Sequence, residues 1–418
     1  MEEVKEFSRR DKQLSRPIVW YTLLTVIAVF GRTLISVGIP EILYTYSRYG
    51  ISVALVMLAL IRCRTKTLIA FALLEGFFGF SYLYAYFFGY MLTENILLYC
   101  VTTLLLCIPF SLFVYNLDNV GCLYNGLLKV SYINVIILAT YVLSNTGYTE
   151  SGVVKYFMPA SYQLLLCACL HMNELFRNKK RRNKIICIAL VVVEATLIFL
   201  YGSRGPLLCL AVFLIIKVMV EVWHNKGARR WALIGTITVI LFIVNYNSII
   251  NSVNNLLIQK GITSRTFSQL LSKSIMDDSG RSIFMNGAIE LIKKNFLIGT
   301  GASSDVKLLG GQYVHNIFLE LGVNFGIILG GAISLWIVVK HIQALFLERG
   351  LKKDLAIILT ACGFIMLMVS GTYLQSIYLF MFMGLMTNKG RQEQTVNVVI
   401  DGSMRVKKQY VLRNRKRI

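Results

Sequence analysis

Apolar residues gather along this 418-residue chain in long runs separated by short polar or basic segments. A helix that crosses a bilayer needs roughly 20 mostly apolar residues, and about twelve segments meet that measure. They lie near 18–38, 42–61, 67–91, 95–115, 127–145, 153–173, 185–201, 206–223, 231–248, 316–339, 355–371 and 373–388. Backbone in hydrocarbon must satisfy its own hydrogen bonds, so the pattern predicts an all-α, polytopic membrane bundle. A different pattern occupies Ser282 to Phe296, where Ile283, Phe284, Ala288, Leu291 and Ile292 fall on one broad helical face and Lys293 and Lys294 follow. This is an amphipathic helix that lies on the membrane surface or caps the bundle. Glycines in "IGTGASS" and "LLGGQ" then interrupt regular structure before the next span.

Composition agrees: 56% of residues are hydrophobic and 15% are charged. The net charge of +22 is not gathered into a groove with interleaved aromatics, which argues against a nucleic-acid partner. It falls instead in "RCRTK", "RNKKRRNK", "HNKGARR", "KHIQALFLERGLKKD" and the tail ending "RNRKRI". With the N-terminus cytoplasmic, all of these map inside, as the positive-inside rule requires, and both termini share that side. One external connection is long, Ile249 to Val314, opening with "NYNSIINSVNN". The organisation expected is a single bundle over 1–388, a long extracytoplasmic loop with its amphipathic helix over 249–315, and a basic cytoplasmic tail over 389–418. Nine cysteines lie mostly in apolar runs without paired spacing and read as small core residues. The mixed-charge start "MEEVKEFSRRDKQLSRP" lacks a following cleavage site, so no removable signal peptide is expected.

Three residues on the outer side carry candidate chemistry. Arg204, in "YGSRGPLL", sits where one span ends and the next begins, with Pro206 suited to the first turn of the new helix. Free N–H groups, the positive dipole end and the guanidinium would together hold an anion there; an interface-anchoring arginine is the plain alternative. Arg281, in "DDSGRSIF", heads the amphipathic helix, where the dipole disfavours a cation unless an anion joins it; a salt bridge to Asp277 or Asp278 is the alternative. Those adjacent carboxylates are a weak metal signal. His315 opens "HNIFLELGVNFG" and, neutral at external pH, can accept a proton from a sugar hydroxyl or hydrogen-bond a phosphate; a histidine bonded to a backbone carbonyl is the ordinary reading. Asn316 and Glu320 share a helix face, so Glu320 orients Asn316 or pairs with an arginine across the bundle. His171, His224 and His341 map to the cytoplasmic side. Glu75, Glu194 and Arg32 fall in or near spans, where Arg32 can snorkel and the two glutamates invite either pairing or an ion-coupled role.

"GSRGP" after a span, "SGRSIFMNGAIELIKKNFLIGTGASS" in a long external loop and "HNIFLELGVNFGIILGG" at the following span resemble the three-part signature of the O-antigen ligase and repeat-unit polymerase superfamily. The resemblance covers roughly Leu197 to Gly331 and departs from the usual pattern at Pro206. It implies an all-helical, GT-C-like membrane glycosyltransferase that acts on glycans carried by undecaprenyl diphosphate in making O-antigen, capsule or exopolysaccharide. It further implies that Arg204 and Arg281 hold the diphosphate and that His315 lies near the donor phosphate or the acceptor hydroxyl. Ser203, Gly205, Arg265, Asn316 and Glu320 complete the expected substrate contacts, and the expected partners are lipid-linked donor and acceptor, the bilayer and a chain-length regulator.

A sugar on a lipid diphosphate is already activated, so orienting an acceptor hydroxyl and neutralising the departing diphosphate suffices. No nucleophile-plus-base pair or glycine-rich nucleotide loop stands out. The expectation is direct inverting displacement without nucleotide sugar, metal or other cofactor, with the long loop opening to admit bulky glycans. Polymerase is favoured over a ligase that delivers the glycan to another acceptor. A lipid-oligosaccharide flippase or transporter, kept in play by Glu75 and Glu194, and a non-enzymatic scaffold are the remaining readings.

Overall fold

The computed structural model describes residues 7–36, 41–61, 63, 65–91, 100–143, 158–177, 180–201, 203–224, 255 and 280–388. Within them the helices are α1 (Arg9–Ser36), α2 (Glu41–Leu60), α3 (Thr65–Phe87), α4 (Ile108–Tyr115, entered through a π turn at Thr103–Cys107), α5 (Gly121–Leu143), α6 (Met158–Arg177), α7 (Arg181–Leu200) and α8 (Arg204–His224). Then come α9 (Arg281–Lys294), the short α10 (Ser304–Leu308), α11 (Ile317–Phe346), α12 (Gly350–Leu359, continued by a π turn at Thr360–Ile365) and α13 (Ile377–Thr387). Strands are absent among the described residues. Helices occur at every predicted span except 231–248, which lies outside the described residues. Five of them, α3, α5, α7, α8 and α11, are long and apolar enough to cross a membrane. The chain is a multi-pass helical membrane protein.

Polar side chains sort to opposite ends of the bundle. At one end Arg10 donates to Asn116 at 3.0 Å, Thr67 also donates to Asn116 at 3.0 Å, and Asp354 accepts from Arg177 at 3.0 Å and Lys217 at 2.7 Å. Lys352 there reaches the Asn388 carbonyl at 3.0 Å. These groups flank or belong to segments that the charge pattern assigns to a single side. At the other end lie Met158, the start of α8, α9, His315 and Ser370.

One expectation about buried polar groups needs correction. Glu194 does not pair with Glu75: it holds His171, Oε1 to Nδ1 at 2.7 Å, and the His171 Nε2 faces Ser131 Oγ at 3.0 Å. Glu75 has a buried Oε1 with no hydrogen-bond partner among the described residues. His171 and His341 are buried core residues; His341 Nδ1 donates to the Ile337 carbonyl (2.8 Å), and its ring stacks on Phe382 with centroids 3.8 Å apart. The side chains of Arg32 and His224 lie outside the described residues. All nine cysteines are free and seven are buried, as their setting in apolar runs predicts.

α11 departs most from the sequence reading. It is broken at Gly326 (φ 71°, ψ −179°), and Gly330 on the far side packs against the backbone of Leu321 and Gly322. Nine residues of continuous helix would hold those positions ~13 Å apart, so the two legs fold back in a sharp V. The predicted span at 316–339 is therefore a short leg followed by a long one. The preceding segment closes the break: Thr300 N–H bonds the Val323 carbonyl (2.9 Å), Gly301 N–H the Asn324 carbonyl (2.8 Å), and Ile327 N–H the Phe296 carbonyl (2.8 Å). Broken helices are tolerated at membrane depth only when the freed backbone groups find such partners.

The conformation of Gly326 is essentially reserved to glycine, and a methyl there would meet the Leu297 carbonyl. Gly326→Ala is expected to destabilise the protein by about 2 kcal/mol or more, whereas Gly331→Ala, with open space at its Cβ, should be near neutral. Thermal unfolding in detergent with matched expression checks this, and equal melting temperatures would contradict it.

Candidate functional site

The start of α8 places Arg204, half-buried, as the first helical residue, with Ser203 buried behind it and Pro206 in the first turn, where its missing N–H costs nothing. Gly205 is a close-approach position, because a Cβ would collide with the Tyr162 hydroxyl of α6. That hydroxyl oxygen is buried and forms no hydrogen bond of normal geometry among the described residues. The neighbouring Ser370 hydroxyl lies close enough to interact with it and donates to Met158 Sδ at 3.5 Å. Tyr162 also lies within electrostatic range of Arg281 and Tyr313.

Arg281 is the first residue of α9, after a left-handed Gly280 (φ 79°) that turns the chain into the helix. Ala288, Leu291 and Ile292 pack this helix against the short leg of α11, while Ile283, expected on the same face, is exposed. α9 therefore caps the bundle on a narrower stripe than its sequence suggests. Arg281 has no acidic partner among the described residues; Asp277 and Asp278, the alternative partners, lie outside them, as does Arg265.

His315 occupies the left-handed region at φ 60°, unusual for a residue with a side chain. Its ring lies 4.3 Å from that of Tyr313 and 6.5 Å from that of Phe284, one turn along α9 from Arg281, and its Nδ1 is buried without a partner among the described residues. It is not bonded to a backbone carbonyl there, so the ordinary explanation fails at Nδ1. Burial, helped by the Arg281 charge, lowers its pKa from 6.5 to about 4 and keeps the ring neutral. Gly205 thus lies against Tyr162, and Tyr162 and His315 are each within electrostatic range of Arg281.

Two predicted substrate contacts have other employment. Asn316 is the N-cap of α11, its Oδ1 accepting from Phe318 N–H (3.0 Å) and Leu319 N–H (3.2 Å). Glu320 is buried, accepting from the Thr372 hydroxyl and from Tyr373 N–H (3.3 Å); it neither orients Asn316 nor meets an arginine. Asp305, unremarkable in sequence, is fully buried beside it. The Asp305 carboxylate faces the N–H groups of Val306 and Val314 and the Asn324 amide, tying down the residue before His315, and burial pushes its pKa up to about 7. Asn324 completes the cluster, with its amide nitrogen 3.0 Å from the Gly301 carbonyl and its oxygen accepting from Tyr373 Oη at 3.1 Å.

From Ile317, two residues beyond His315, an apolar cavity of about 610 Å³ runs along Leu321, Phe325 and Phe78 toward Trp336 and Tyr115. Ile317 is its lining residue nearest in the chain to His315.

Residues 189–334 match the family model for O-antigen ligase. The match holds Arg204, Arg281 and His315 and ends within the long leg of α11. The chain thus carries an O-antigen ligase-type domain, built on less than half of its length, and Tyr162, Ser370 and Thr372 come from outside that domain. No curated protein matches the chain. Nothing in "PASYQLLL" marks Tyr162 as different from the aromatic residues of any span, so sequence reasoning passed over it. Asp305 left one signal, an acid in a glycine- and serine-rich turn ahead of a span.

The lowered pKa of His315 has a defined sign. As pH falls from 6.5 toward 4 the unfolded chain takes up a proton that the folded chain refuses, so stability is complete above this window and is lost within it. His315→Gln is expected to lose less stability than the wild type over that window when unfolding is followed against pH, and parallel profiles would count against it.

Proposed function

We propose that the protein transfers an oligosaccharide from undecaprenyl diphosphate to an acceptor hydroxyl at the outer face of the cytoplasmic membrane, by direct displacement with inversion and without metal. The observation that carries this reading is Arg281, a half-buried cation without an acidic partner among the described residues, set at a helix start beside a neutral histidine. The acceptor oxygen attacks the anomeric carbon, the bond from that carbon to the diphosphate oxygen breaks, and the electron pair leaves with the diphosphate. Arg204 and Arg281 neutralise the departing charge, and His315 takes the hydroxyl proton. A bound diphosphate offsets the Arg281 field that depresses His315, so the ring becomes more basic once the donor is in place. The apolar cavity that starts at Ile317 suits the prenyl chain.

Both termini and the strongly basic segments are cytoplasmic in this reading, with about twelve spans, a GT-C-like bundle and the 249–315 loop outside. The acceptor is the growing chain itself, which makes the enzyme a repeat-unit polymerase for surface polysaccharide. Ligation to a different acceptor is the second reading, favoured by the family description itself.

Purified protein with a synthetic undecaprenyl-diphosphate repeat unit is expected to give a ladder of products that persists in EDTA. One larger product that needs an added acceptor would mean ligation. Arg281→Ala should lower turnover about 10²- to 10³-fold, the scale for losing one preorganised charge partner, while Glu194→Gln retains it. Loss with Glu194→Gln and not with Arg281→Ala would favour transport.

A further inference from the structure

We propose that Tyr162 is a phosphate-binding residue, its hydroxyl donating a hydrogen bond to the diphosphate of the lipid-linked donor between the Arg204 turn and Arg281. The inference rests on the reading of this region as a diphosphate site. Four observations carry it. The hydroxyl oxygen is buried and forms no hydrogen bond of normal geometry among the described residues, whereas a buried O–H is normally satisfied. The Ser370 hydroxyl beside it lies close enough to interact with the tyrosine, yet donates to Met158 Sδ. The residue opposite is Gly205, and only its lack of a side chain lets the hydroxyl lie against the first turn of α8, whose N–H groups have no partners within the helix. Arg281 lies within electrostatic range.

A donor aimed at a helix start and flanked by a guanidinium asks for an acceptor, and the surrounding positive potential selects an anionic one. A phosphate oxygen there can take the tyrosine O–H and a backbone N–H together. Tyrosine suits this place because it adds a directed donor without adding a further positive charge beside two arginines. Its rigid ring also holds the donor in place at little entropic cost. Tyr162 is supplied by α6, ahead of the stretch that matches the O-antigen ligase family, so the matched domain would bind its substrate with help from the N-terminal half of the bundle.

The test uses the full chain in detergent with farnesyl diphosphate as the probe and farnesol as its uncharged counterpart. Tyr162→Phe, which removes one oxygen and keeps the ring, is expected to weaken farnesyl diphosphate binding about 10- to 100-fold, the range for one hydrogen bond to a charged group. Farnesol binding and the melting temperature should stay at wild-type values. Gly205→Ala, which pushes the hydroxyl away from the helix start, should weaken the diphosphate in the same direction. If Tyr162→Phe binds farnesyl diphosphate like the wild type while Arg281→Ala does not, the tyrosine assignment fails and the diphosphate site stands. Equal weakening of both probes would mark a packing effect and overturn it. Should the wild type bind farnesyl diphosphate no better than farnesol, the diphosphate reading and the tyrosine assignment fall together.

Discussion

A helix interrupted inside a membrane protein leaves carbonyl and N–H groups that water cannot satisfy, and the architecture around the site is organised by how this one is closed. Gly326 breaks α11, and the segment from Phe296 to Gly301 supplies the missing hydrogen bonds to Val323, Asn324 and Ile327. The closure needs an extended chain to pass alongside the break at backbone distance. That explains why glycine, threonine and serine crowd the "IGTGASS" stretch, and why the loop ahead of α11 is in part a structural component of the bundle.

The site inherits its geometry from this seam. Once the short leg of α11 is folded back, its N-terminus brings Asn316 and His315 beneath α9, and Ala288 and Ile292 of α9 pack on the same leg. Asp305 ties the approach to His315 through Val314. Glu320 ties the leg to Thr372 and Tyr373, next to the turn whose Val369 and Ser370 flank Tyr162 and Gly205. Interactions of this kind place a charged binding region without adding charge to it, because the carboxylates involved are consumed by hydrogen bonds on the far side. The cost is a set of buried carboxylates, tolerable only because hydroxyl, amide and backbone donors meet them.

Much of this was legible in the sequence, and the parts that were not share a physical cause. Periodicity and run length gave the helical spans, the capping helix and the basic clusters, because those features depend on residues close in the chain. The pairing of His171 with Glu194, the employment of Glu320 by Thr372 and the approach of Tyr162 to Gly205 depend on which helices become neighbours, and no local pattern encodes that. The V at Gly326 is an intermediate case. "GVNFGIILGG" displays its glycines plainly, but glycine is common in membrane helices, so only the tertiary partner of the break distinguishes a reversal from a small residue packed at a helix crossing.

The contact between Gly205 and Tyr162, together with that between Glu320 and Thr372, joins groups 162 to 372 in the chain. Synthesis and membrane insertion proceed from the N-terminus, so the walls around Arg204 are complete only after the chain has been made through Thr372. A partly made chain would present its arginines without the groups that order them. On the proposed function, the capacity to hold a donor diphosphate would therefore arise late, once both halves of the bundle have come together.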